Sequence, residues 1–187
     1  MTKITTIDVH LAQVFYEVLL DHARAAPGRS LRYKEALRRA KTIHVDDDVV
    51  QSAIPVSMGR RLDVIVQFVK EHQLPPLTCL AVNETGLPGA SYKPVNRTWQ
   101  ADLDAVAAFD WAPWQGRWNL HVAKEMKSAR PFQRRKEEDA SQMIFESFKA
   151  GQIRRLDPSE RVEFVKLLMT GIDLRDAAED LGLLVTA

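Results

Sequence analysis

The chain has 187 residues, 45% of them hydrophobic, enough for one sizeable core or for a main domain with a helical appendage. Its 26 basic and 25 acidic side chains leave a formal charge of +1, which excludes a bulk electrostatic pull on nucleic acid and restricts any such role to local clusters. The single cysteine excludes an intramolecular disulfide framework and a cysteine-rich zinc site. No stretch approaches ~18 consecutive apolar residues, and the opening MTKITTIDVHL has no basic region followed by a long apolar segment. A cytoplasmic protein with no membrane partner is the expectation.

Along the chain, Leu11, Val14, Phe15, Val18 and Leu19 recur at helical spacing, predicting a core-packed helix over about 9–25 with Asp8 as its cap. Pro27 and Gly28 break it. Ser30 is placed to cap a second helix, about 31–41, with Leu31, Ala36, Leu37 and Ala40 on its apolar side. Arg32, Lys34, Arg38, Arg39 and Lys41 make that helix basic. The segment HVDDDVVQSAIP reads as a loop followed by a short helix that Pro55 ends. Ser57 is placed to cap a third helix, about 58–72, with Met58, Leu62, Ile65, Val66 and Val69 as its buried stripe. Arg60 and Arg61 fall in its first turn, where basic side chains oppose the helix dipole. That local conflict marks the helix for functional attention, against the simpler reading of a solvated surface or a pair with nearby aspartates.

Leu77–Val82 reads as a short apolar strand. Asn83 to Ala90, with Gly86, Pro88 and Gly89, reads as a turn or protruding loop, and Ser91–Val95 as a returning strand. Three helices followed by a hairpin suit a winged-helix module with the hairpin as its wing. Residues 99–118 then hold all four tryptophans, Trp99, Trp111, Trp114 and Trp118, read first as packing anchors and second as base-stacking platforms. A helix over about 132–149 carries Phe132, Met143, Phe145 and Phe148 along or near an apolar face and stops at Gly151. Asp157, Pro158 and Glu160 form a helix-start signal for a helix that runs to about Met169, and a last helix spans about 173–181.

The stretch RSLRYKEALRRA, the Gly59-Arg60-Arg61 helix and TCLAVNETGLPGASY together resemble the DNA-binding half of the O6-alkylguanine DNA alkyltransferase family. The resemblance covers about residues 29–92 and implies a winged-helix architecture, with Cys79 where the alkyl-accepting cysteine stands. Thr78 precedes that cysteine and Leu80-Ala81 follow it, so the histidine and arginine of the family's segment are absent and the repair chemistry is not carried over. A nucleophilic cysteine needs a route to its thiolate, and apolar neighbours offer none. The C-terminal ERVEFVKLLMTGIDLRDAAEDLGLL is similar to part of a bacterial helix-turn-helix, but only Leu183 to Ala187 follow, too short for a recognition helix.

The fold expectation is therefore mostly α with a small β-hairpin: a winged-helix-like domain over 1–98, a tryptophan-bearing connector over 99–131 and a helical segment over 132–187. The leading functional expectation is non-catalytic DNA binding. Arg60 and Arg61 would meet phosphates or guanine edges, Arg32, Lys34, Arg38 and Arg39 would flank the backbone, and Asn83, Lys93 and Arg97 would serve the wing. The alternatives are a protein-interaction or inhibitor protein, alone or as a homo-oligomer, and a DNA-processing enzyme. No cofactor is implied. Asp46, Asp47 and Asp48 do not by themselves define a metal sphere, and His10, His44, His72 and His121 are scattered without HExxH spacing.

Overall fold

The computed structural model describes residues 4–55, 58–89, 92–131 and 134–185. Helix, 3-10 turns included, accounts for 65% of the described residues, so the mostly helical class holds. The chain divides into two compact units, one of residues 8–129 and one of residues 1–7 with 130–187. The boundary near 130 lies close to the expected end of the connector. The connector itself, however, belongs to the same unit as the helices before it.

In the first unit, α1 (Thr6–Ala25) is the central element. Val9, Leu11, Ala12, Phe15, Tyr16, Val18 and Leu19 are all essentially sealed from solvent, on more than one face, as in a helix enclosed by its neighbours. Asp8 does not cap it. The helix begins two residues earlier, and Asp8 lies buried inside its first turn. Gly28 takes the left-handed φ of 70° after the break at Pro27. The second helix, α2 (Tyr33–Ile43), starts later than Ser30 would place it, because Leu31–Arg32 is drawn into a strand, β1. Asp47 caps the short α3 (Asp48–Ser52) by accepting from the Val49 and Val50 N–H groups at 3.0 and 3.1 Å. The expected Ser57 cap of α4 (Met58–Glu71) lies outside the described residues.

The β element differs from the expected hairpin. Leu77–Leu80 winds as a 3-10 turn, and only Ala81–Val82 is extended, as β2. It pairs in parallel with β1, Leu31 opposite Ala81 and Arg32 opposite Val82. The Tyr92–Val95 part of the returning strand is not extended into a sheet, and Ser91 lies outside the described residues. Parallel pairing follows from connectivity: α2, α3 and α4 intervene between the two strands, as a crossover requires.

Two helices arise where a connector was expected, α5 (Trp99–Ala108), capped by the Thr98 hydroxyl on the Ala101 N–H at 3.1 Å, and α6 (Gln115–Ser128). Trp118 on α6 is fully buried and stacks on Tyr16 of α1, with ring centroids 4.2 Å apart, while Phe68 of α4 meets both rings edge-on. The tryptophans are thus packing anchors, and each such buried aromatic contributes a few kcal/mol, about 1.5–3 for burial alone.

In the second unit, α7 (Glu137–Lys149), α8 (Pro158–Met169) and α9 (Leu174–Asp180) pack around Ile144, Phe164, Leu167, Leu168 and Ala178. The expected start signal of α8 forms a complete capping box. Asp157 accepts from the Ser159 and Glu160 N–H groups, and Glu160 accepts from the Asp157 N–H. Arg135 closes the other end of α8, donating to the Leu168 and Ile172 carbonyls at 3.0 and 2.6 Å. Gly151 and Gly171 end α7 and α8 with φ of 70° and 81°. Phe132, expected in the first turn of α7, lies outside the described residues. No described helix is long and apolar enough to cross a membrane.

Candidate binding cleft

The residues expected to face DNA have divergent fates. Arg60 and Arg61 are buried, with 4% and 1% of their surface exposed. The Arg61 guanidinium donates to the Ile54 carbonyl at 3.2 Å and lies 4.0 Å from the Asp8 carboxylate, also 1% exposed. These two arginines hold the interior of the first unit and have no surface to offer a groove, which corrects the expectation built on them. A buried charge needs partners, and Arg61 has the Ile54 carbonyl as a hydrogen-bond acceptor and the Asp8 carboxylate of α1 as the opposite charge.

The cations of α2 are exposed but largely compensated. Arg38 makes two 2.8 Å bonds to Glu35, Arg39 makes one of 2.9 Å to the same carboxylate, and Lys34 lies 3.4 Å from Glu84. Hydrogen bonds from Arg38 and Arg39 pull the Glu35 carboxyl down to about 2. Arg39 also approaches His22, whose pKa is lowered by burial. Arg32 on β1 is exposed, as are Lys93 and Arg97, the latter in a left-handed backbone with φ of 69°. Asn83 acts on its own loop instead: its side-chain oxygen accepts from the Thr85 N–H and hydroxyl and from the Leu87 N–H, at 2.6–3.1 Å.

What the fold does bring together is a cleft of about 730 Å³ between one face of α4 and the segment that follows it. Leu62, Val66, Val69 and Leu74 make one apolar wall, and Pro76, Ala81, Pro88 and Val95 the other. Tyr33, Tyr92, Lys70 and Lys93 add polar groups, and Asp63 on α4 adds one carboxylate. Size and lining match those of sites for small organic molecules. Neither Lys70 nor Lys93 has a carboxylate within ion-pair distance among the described residues, whereas Lys34, just outside, has Glu84.

The outer wall, that of Pro76, Ala81, Pro88 and Val95, is held from behind. Asp102, in the first turn of α5 and fully buried, accepts from the Tyr92 hydroxyl, the Val95 N–H at 2.9 Å and the Asn96 N–H at 2.7 Å. Burial alone would raise its pKa, but these three donors outweigh it and leave the carboxyl below its usual range. Burial, aided by the bond to Asp102, pushes the Tyr92 phenol up. Trp99 ties α5 to the Leu77–Leu80 turn by donating to the Cys79 carbonyl at 2.8 Å. Gly89 approaches Tyr33 so closely that a β-carbon there would sit 3.3 Å from the phenol oxygen.

The single cysteine does not line the cleft. Cys79 lies fully buried in the Leu77–Leu80 turn, and burial, with the Asp102 charge second, pushes its thiol up to about 12. Among the described residues no group of three His, Cys, Asp or Glu side chains is arranged to hold a metal ion. His10 bonds Asp47 at 2.6 Å, joining α1 to the cap of α3, and His121 lies buried 3.5 Å from Glu71, so both pairs serve packing.

Sequence reasoning singled out Lys93 but not Tyr33, Asp102 or Lys70. The pattern Pro88-Gly89 and the lone Asp102 behind Thr98 were the only local signals, and neither identifies its long-range partner. Comparisons with protein-family models, curated proteins and solved structures find no match.

Proposed function

We propose that the chain is a non-catalytic binding protein whose first unit takes an amphiphilic organic anion in the cleft beside α4. The apolar body would lie on Leu62, Val66 and Val69, and the anionic group would meet Lys70 and Lys93. One observation carries this reading: a 730 Å³ apolar cleft whose two lysines lack carboxylate partners among the described residues. The buried, protonated Cys79 supports binding over chemistry. The test uses 8-anilinonaphthalene-1-sulfonate, an aromatic sulfonate whose fluorescence rises on transfer from water. Wild-type protein should bind it saturably. Val66→Trp, which fills the cleft, should abolish the signal, and Lys70→Glu with Lys93→Glu should weaken it about tenfold. Binding unaltered by these changes in folded protein would overturn the reading.

Duplex DNA is a second reading, favoured by the exposure of Arg32, Lys93 and Arg97. It keeps the winged-helix expectation in reduced form, without Arg60 and Arg61. Salt-sensitive anisotropy with labelled duplex, lost in a folded Arg32→Ala/Lys93→Ala/Arg97→Ala variant, would favour it over the first. Absence of binding at low salt removes it.

A further inference from the structure

The second unit carries a feature that the cleft does not explain. A cavity of about 190 Å³ opens between α7 and the segment leading into α8. Ile144 and Leu156 line it, with Phe145 and Phe148 beside them. Those two phenylalanines are 59% and 47% exposed, and their spacing of three puts them on neighbouring positions of one helix face. Large aromatic side chains left in water beside a concavity mark an interaction surface when they are clustered, and are unremarkable only when scattered.

The charges at this site are one-sided. Arg155 and Arg161 both line the cavity, and neither has a carboxylate within ion-pair distance among the described residues. Three other arginines of the same unit are engaged. Arg154 holds Glu160 through two bonds of 2.9 and 2.6 Å, Arg130 holds Asp173 at 2.6 Å, and Arg135 caps α8. Arg134 and Arg175 also lack an ion pair among the described residues, but Arg155 and Arg161 are the two such guanidiniums that line the aromatic groove. A guanidinium presents a fork of donors suited to a carboxylate, so the missing complement is an acid placed beside an apolar side chain.

We propose that this groove docks an acidic, amphipathic segment of a partner protein, with apolar side chains entering between Phe145 and Phe148 and carboxylates meeting Arg155 and Arg161. The mode is that of an amphipathic segment laid into a groove, in which the apolar anchors supply affinity and the flanking charges supply register and choice of partner. A basic or neutral segment of equal hydrophobicity is disfavoured by the same two arginines.

The experiment uses the full chain and two fluorescein-labelled peptides of sixteen residues, one alternating leucine and tryptophan with glutamate, the other identical but with lysine for glutamate. The acidic peptide should raise the anisotropy saturably and the basic one should not. Arg155→Glu with Arg161→Glu should weaken the acidic peptide at least tenfold, and should let the basic peptide bind. Phe148→Asp should abolish binding, while circular dichroism confirms that each variant keeps its helices. Equal binding of both peptides, or an acidic peptide that binds nothing, would overturn the proposal. So would sedimentation showing that the chain self-associates through this face and that Phe148→Asp makes it monomeric, since the occupant would then be a second copy.

Discussion

The two units use adjacent arginines in opposite ways. Arg60 and Arg61 in the first unit are buried, and Arg61 reaches the Asp8 carboxylate and the Ile54 carbonyl. Arg154 and Arg155 in the second are exposed, one engaged with Glu160 and the other bordering an aromatic groove. All four are charged residues in or near a helix start. What separates them is not chemistry but the packing around them: α4 is enclosed, and the approach to α8 is open. The comparison teaches that an arginine pair near a helix N-terminus is a structural strut where the helix is enclosed and a recognition element where it is open.

That comparison can be broken most severely at the centre of the first unit. Trp118→Ala removes the ring stacked on Tyr16 and should cost about 3–5 kcal/mol, read as a lowered urea midpoint with an unchanged slope. Next comes Arg61→Ala, which strips a buried carboxylate of a neighbouring cation and should cost about 3 kcal/mol. Arg155→Ala in the same assay should leave the midpoint where it is. Equal effects of these two would erase the distinction between strut and recognition element.

A smaller effect, and one that depends on pH, comes from Asp102. Its folded carboxyl sits below the usual range, so the unfolded chain binds its proton first as pH falls. Its contribution is therefore complete above the unfolded value near 3.8 and is lost as pH drops through the folded one. At neutral pH Asp102→Asn should cost about 2 kcal/mol, the scale of hydrogen bonds to a charged group. Urea midpoints taken from pH 6 down to pH 3 should fall less steeply for Asp102→Asn than for wild type. An identical pH slope would mean that the carboxylate does not carry the outer wall. Smallest is Asp47→Ala, which removes the α3 cap and the His10 contact and should cost about 1 kcal/mol, read as a small loss of thermal midpoint.

The parts of this molecule that were legible in sequence are those written within a few residues. Asp157, Pro158 and Glu160 announce α8 because each capping bond spans three residues or fewer. The glycines after α7 and α8 do the same for helix ends. The stripe Leu62, Ile65 and Val69 announced α4, but the burial of Arg60 and Arg61 beside it did not follow, since it depends on Asp8 and Ile54. The parallel pairing of Leu31–Arg32 with Ala81–Val82 joins segments about fifty positions apart, and no local pattern encodes a partner at that distance. The helices α5 and α6 were hidden because four tryptophans drew attention to anchoring. Yet Thr98 as a cap, and Trp118, His121 and Val122 on one helical face, carried the signal. Of the cleft, only Lys93 was singled out, because its walls come from positions 33, 59–81 and 88–95 together.

Asp102 lines no part of the cleft, yet it holds the backbone of Val95 and Asn96 and the hydroxyl of Tyr92 at once. The stretch around Val95 is exposed and has no regular secondary structure, which would ordinarily make its amides exchange with solvent within seconds. Bound to one buried carboxylate on α5, those two amides should instead exchange more slowly than their open neighbours in hydrogen-exchange measurements. A protection factor shared with the first turn of α5 would mark loop and helix turn as a single opening unit. The mouth of the cleft is thereby tethered to the helix behind it.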